Sequence, residues 1–195
     1  MQKMNIGTAV DELKKKKKAI QKALDRTVAD CKQRGPAQVT KAVTAVYGVK
    51  AKTVTQAGQG AKRGAKTAGK IQVQGYEIDN LQLVYSGRLL TPSHFSMSPK
   101  NRPDGGKKYK VRAAILKGQK KVLGTGVFLA PSGSVGTTQI PFKREGEKRL
   151  PIKAIRTVSI PQMISNEIVA QDIKERMENL LNARLNHNLD KIANK

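Results

Sequence analysis

The residues of this chain that could act on a substrate are few and badly placed for it. Its two histidines, His94 and His187, stand far apart in sequence with no carboxylate or cysteine at ligand spacing, so neither is expected to hold a metal. The single cysteine, Cys31, cannot close an intrachain disulfide, and its place on an apolar helical stripe predicts a buried, inert thiol. Ser132, Ser134 and Thr137 share a Gly-rich loop, but no G-x-S-x-G elbow surrounds them and no His/Asp pair is placed to activate a hydroxyl. Gly58, Gly60 and Gly64 form no phosphate loop, because no Gly-Lys-Ser/Thr follows them. The carboxylates are sparse and yield no acid/base pair. These residues predict a protein that is not an enzyme, needs no cofactor, and works through a surface.

Charge decides what that surface meets. Against 14 Asp+Glu the chain carries 38 Lys+Arg, a net charge of +24. Such a field attracts polyanions: DNA, RNA, an anionic membrane surface or an acidic protein face. It also opposes a compact monomer by self-repulsion, so a bound counter-charge is expected. No tryptophan is present, and apolar content is modest, so much of the length is expected to be extended or partner-dependent. No apolar run approaches the ~18 residues of a membrane helix, and the N-terminus lacks the apolar core of a signal peptide. The expected setting is the interior of a cell, or a particle assembled there.

The elements that position these charges begin with a helix over residues 8–34. Thr8 is its candidate cap, and Asp11 and Glu12 sit in its first turn. Val10, Leu13, Ile20, Leu24, Val28 and Cys31 make one apolar stripe, broken at Lys17. The run Lys14 to Lys18 reads either as a solvated face, with the Lys17 stem laid over the core edge, or as a phosphate-facing patch. Gly35-Pro36 predicts the helix end. A second helix follows over 37–47, closed by Gly48, and 49–56 leans helical. Residues 57–70, AGQGAKRGAKTAGK, are too small to build a core. They read as a flexible basic loop whose Lys62, Arg63 and Lys66 can lie on a polyanion.

Residues 71–156 read as five or six short antiparallel strands, in one small sheet or sandwich. Ile71 to Val73 and Leu81 to Tyr85 flank turn residues, Ser86-Gly87 breaks the second strand, and residues 88–97 run extended. Between Lys108 and Leu116 the chain alternates, placing Lys108, Lys110 and Arg112 opposite Tyr109, Val111, Ala113 and Ile115. Lys117-Gly118-Gln119-Lys120 turns into Lys121-Val122-Leu123, a hairpin signal. Its outer face, with Lys117, Lys120 and Lys121, is strongly positive. Residues 126–164 hold an apolar strand, a basic turn and two proline elements. Arg144, Arg149, Leu150, Pro151, Ile152, Pro161 and Met163 are expected to form a pre-ordered docking strip there.

The last segment, 157–195, reads as a connection and a long amphipathic helix capped by Ser165 or Asn166. Its stripe runs from Ile168 or Val169 through Ile173, Met177, Leu180, Leu181, Leu185 and Leu189 to Ile192. It is expected to pack on the sheet or on the first helix. From Thr157 onward, Lys174, Arg176, Arg184, Lys191 and Lys195 balance Glu167, Asp172, Glu175, Glu178 and Asp190, so the whole excess charge lies in residues 1–156. The predicted fold is α+β within one domain: a helical part (8–56), the basic loop (57–70), the β part (71–156) and the terminal helix.

The order of several motifs resembles the minor tail protein Z family of tailed phages and prophages, the tail-completion proteins. They are Arg88-Leu89-Leu90-Thr91-Pro92-Ser93-His94-Phe95, the Lys-rich hairpin at 108–123, Gly126-Val127-Phe128-Leu129-Ala130, and Phe142-Lys143-Arg144-Glu145-Gly146-Glu147-Lys148-Arg149-Leu150-Pro151-Ile152. Val158-Ser159-Ile160-Pro161-Gln162-Met163 and Asn166-Glu167 complete the set, so the resemblance covers most of residues 8–192. Family members usually carry Gly-Pro-Ser where this chain has Thr157-Val158-Ser159, and often lack the 57–70 insert. The resemblance implies a structural virion protein of the head–tail neck, made in the host cytoplasm and without enzymatic activity. It further implies a hexameric ring between the tail terminator or tail tube protein and the head connector or head-completion protein. Packaged double-stranded DNA would thread that ring and be met without sequence preference, and no membrane is involved. A ribosomal or other structural RNA- or DNA-binding protein shares the charge pattern and stays open at this level. The scarcity of aromatic stacking residues weighs against it.

Overall fold

In the computed structural model, which describes residues 6–59, 68–105, 108–132 and 138–193, the first helix runs unbroken through Gly35-Pro36. This is α1, Ile6–Val46, 41 residues and about 60 Å long at the α-helical rise. The expected stop after residue 34 and restart at 37 are therefore corrected. So is Thr8 as the cap, since the helix starts before it. Pro36 has no N–H for the Lys32 carbonyl, a loss of about 3 kcal/mol in a bare helix. Packing offsets it. Pro36 abuts Gly58 of α2, Ala51–Gln59. Gly35 is bare because its neighbours fill the space: a Cβ there would lie 2.6 Å from Val73 Cγ2 and 3.2 Å from Met177 Cε. The pair is a contact surface for other elements.

The C-terminal helix α4, Glu167–Ala193, lies antiparallel on α1. Met177 meets Gly35, Arg184 meets Asp30 and Asn188 meets Thr27. Of the two caps considered, Asn166 makes the bond, its Oδ1 accepting the Val169 amide at 3.4 Å. The stripe faces inward: Val169 and Ile173 are buried, and Leu180, Leu181, Leu185 and Leu189 are half-buried. Cys31 is buried in α1 as expected. Because the pairings climb α4 as they descend α1, α4 ends before α1 does, and the N-terminal turns of α1 project past it. Leu13 is 66% and Ile20 48% exposed there, and Lys14 to Lys18 are all exposed. Lys17 therefore covers no core edge.

The main core joins the C-terminal half of α1 (Val39, Ala42, Val43) to Val54, Ile71, Leu90, Phe95, Ile160, Met163 and Val169. Ala57 and Ala68 are also buried in it. The expectation that 57–70 adds nothing to a core fails at both its ends, beside Gly58 and Gly69, where the chain closely approaches Pro36 and the Ser86 carbonyl. Lys62, Arg63 and Lys66 lie outside the described residues.

Strands β1 (Gly69–Gln74) and β2 (Gln82–Gly87) form a hairpin. Its turn is closed by Asn80 Oδ1, which accepts the Tyr76 and Glu77 amides at 2.9 Å each. Ser86-Gly87 continues β2 rather than breaking it: Gly87 pairs with Gly69, and a Cβ there would meet Pro161 Cδ at 3.1 Å. A 3₁₀ turn, Pro92–His94, leads to β3 (Ser96–Ser98), which pairs with β4 (Arg112–Ala114), itself paired with β5 (Lys120–Val122). β6 (Phe128–Pro131), β7 (Gln139–Arg144) and β8 (Ile152–Ala154) form the third sheet. The class is α+β with small antiparallel sheets as expected, but the described strands number eight in three sheets. β3 and β8 are additions to the expected set, and only the centre of 108–116 is regular strand. A second core of Met97, Val111, Ala113, Val127 and Leu129 lies between the two three-stranded sheets.

The short helix α3, Ile160–Ile164, follows a reciprocal cap in which Ser159 Oγ accepts the Gln162 amide and Gln162 Oε1 accepts the Ser159 amide. Upstream, the Thr157 amide and hydroxyl both donate to Leu90 O, at 2.7 and 2.9 Å. That doubled bond ties the connecting segment to the body.

Candidate functional site

One groove brings members of the two sets of candidate residues together. Across the β3-β4-β5 sheet, Ser98, Arg112 and Val122 are direct partners in one row. Across the other sheet Arg144 pairs with Ile152, and Phe128 with Phe142. All of these but Phe142 line a groove of about 1850 Å³ whose lining also includes Arg102, Lys108, Lys110, Lys148, Arg149 and Leu150. Seven cations (Arg102, Lys108, Lys110, Arg112, Arg144, Lys148 and Arg149) line it, and no carboxylate does among the described residues. Lys108, Lys110 and Arg112 of the basic face and Arg144, Arg149, Leu150 and Ile152 of the docking strip, read as separate features of the sequence, line one concavity.

Specific bonds hold the walls. The Leu129 amide donates to the Tyr109 hydroxyl at 2.9 Å, tying β6 to the irregular segment that carries Lys108 and Lys110. Arg144 Nη1 donates to the Arg149 carbonyl at 2.6 Å, which fixes the basic turn over the groove. Its guanidinium carbon lies 5.2 Å from the centre of the Phe128 ring, a cation–π contact. Phe128 in turn stacks on Phe142 with 6.2 Å between centroids.

Other candidates fall elsewhere. Lys117, Lys120 and Lys121 are exposed but do not line the groove. Their turn is anchored to the end of α1, with the Lys117 amide on Val46 O and the Gly48 amide on Ile115 O, both at 2.9 Å. Pro151 is exposed between two lining residues. Pro161 is half-buried near Gly87 in α3, and Met163 is fully buried in the main core. Met163 is therefore corrected from docking surface to core: its position faces inward once Ser159 caps α3. Ser98, Arg102, Val122, Phe128 and Lys148 were not singled out in the sequence: cross-strand register puts Ser98, Val122 and Phe128 on the groove, and the folding of two loops adds Arg102 and Lys148.

His94 lies in the 3₁₀ turn and does not line the groove, its Nδ1 3.5 Å from Thr53 Oγ1. Burial, then Lys50 and Arg88, push its pKa below the ordinary 6.5. Among the described residues no cluster of His, Cys, Asp and Glu is arranged to hold a metal, and no helix is long and apolar enough to cross a membrane.

With this geometry in view, the family model described as prophage minor tail protein Z (GPZ) matches residues 5–195. The chain belongs to that family. It is a phage minor tail protein, a structural component of the tail, and its place is in the virion. The family is not known for enzymatic activity. No curated protein and no solved structure matches the chain.

Proposed function

We propose that this minor tail protein completes the head-proximal end of the tail and helps join it to the head, as a ring around the DNA channel. The observation that supports this reading is the segregation of charge in the fold. All of the +24 excess belongs to residues 1–156, and it surfaces on the projecting end of α1, on the turn at 117–121 and in the groove. The balanced helix α4 packs along α1 and stands apart from that surface. A ring threaded by DNA needs cations toward the lumen, where phosphate contact is independent of sequence, and acidic or neutral protein faces above and below. The expected neighbours are a further copy of the chain, a tail terminator or tube protein, and a head connector or head-completion protein. Nucleic-acid binding in a ribosome-like setting shares the charge but not the tail-protein family.

The test is complementation in vitro. Tails made without this chain are mixed with filled heads, and infectious particles are counted with and without the purified protein. Joining that depends on the added protein supports the role; tails that join equally well without it overturn the role.

A further inference from the structure

Beyond the joining role lies the question of what fills the groove. We propose that it receives an extended protein segment in which acidic and apolar side chains alternate. Charge supplies the first argument, because lining cations without a lining carboxylate call for an anionic occupant. Arginines such as Arg112 and Arg149 suit carboxylates, which they can bind through paired hydrogen bonds. The second argument is apolar. Leu150 is 66%, Val122 44% and Ile152 36% exposed, and all three share the groove with Phe128. Scattered exposed apolar residues are ordinary, but these are gathered beside the cations. A phosphate backbone satisfies the cations and leaves this apolar surface wet. A peptide covers both.

Topology supplies the third argument. β5 and β8 are end strands, each with one paired neighbour, and each contributes a lining residue, Val122 and Ile152. An end strand offers unpaired N–H and C=O groups to an incoming chain. Alternate side chains of an extended segment point to opposite sides. The groove offers both kinds of contact side by side, Arg112 next to Val122 in one sheet and Arg144 and Arg149 with Phe128, Leu150 and Ile152 at the other, so acidic and apolar side chains of one segment both find partners. The assignment rests on the groove alone and holds at either end of the tail.

Fluorescence anisotropy on the full-length protein tests it with three probes: a short peptide alternating Glu and Val, one alternating Glu and Ser, and a short DNA duplex. The Glu-Val peptide is expected to bind about tenfold more tightly than Glu-Ser, the difference coming from buried valines. The double variant Leu150→Ser/Ile152→Ser, at exposed positions that keep the fold, is expected to abolish that preference and leave duplex binding unchanged. Amide exchange in β5 and β8 is expected to slow with the Glu-Val peptide bound. Equal affinity for the two peptides overturns the proposal, as does a duplex that displaces Glu-Val from the groove and so claims it for nucleic acid. Since the assay uses purified protein alone, its failure leaves the joining role standing, and failed complementation leaves this assignment standing.

Discussion

Arg144 Nη1 lies 2.6 Å from the carbonyl oxygen of Arg149, so one guanidinium closes the turn that carries Lys148 and Arg149. The same side chain covers Phe128. Lysine keeps the charge but lacks the planar fork that allows both contacts. Arg144→Lys is therefore expected to speed amide exchange at residues 145–149 with little change in global stability. Unchanged protection there contradicts the role given to this side chain.

Reversing the groove's charge separates surface from fold. Lys110 and Arg112 are exposed, so Lys110→Glu/Arg112→Glu is expected to alter stability by about 0.5 kcal/mol or less. In the complementation assay the same variant is expected to block head–tail joining. Normal yield of joined particles counts against the groove as a working surface.

Where α1 meets α4, a polar knot replaces apolar packing. Arg184 Nε donates to Asp30 Oδ2 at 2.8 Å, and Asn188 Nδ2 donates to Thr27 Oγ1 at 3.1 Å. Asp30→Ala is expected to cost about 1–3 kcal/mol in urea unfolding, as for a hydrogen bond to a charged group. The Arg184 hydrogen bond holds the Asp30 carboxyl below its ordinary 3.8. Its stabilisation is thus present above that value and lost as pH falls through the lowered one. His94 acts in the same direction. Its depressed pKa makes stability fall as pH drops below 6.5 toward the lowered value. Unfolding midpoints measured against pH should decline on acidification in two separate ranges, and His94→Gln should remove the upper one.

Gly48 sits where α1 passes the β4-β5 hairpin, and a Cβ there would press into the Ala114 carbonyl oxygen. Backbone cannot swing aside as a side chain does. Gly48→Ala is expected to destabilise by about 1–3 kcal/mol and to loosen the hairpin first, read from amide exchange at 112–122. An unaffected unfolding midpoint contradicts this close approach.

Periodicity and turn chemistry made much of this fold legible: the terminal helix with its Asn166 cap and the 117–120 hairpin follow local rules, whereas the proline element read as extended is the helix α3. Gly35-Pro36 misled because its meaning is tertiary. The pair reads as a stop, yet Val73, Met177 and Gly58 supply the packing that carries a helix past a proline. Ala57 and Ala68 misled likewise, since burial of a small side chain depends on how closely elements cross. The groove was half legible. Its cations and its apolar strip stood out along the chain, but only the pairing of Arg112 with Val122 and of Arg144 with Ile152 sets them side by side.

The most direct test of the proposed role is electron cryomicroscopy of native particles, with the chain located in the reconstruction. The account predicts a ring of this protein at the head-proximal end of the tail, its α1 lysines toward the DNA channel. Finding the chain at the distal tip, or along the tail shaft, contradicts it.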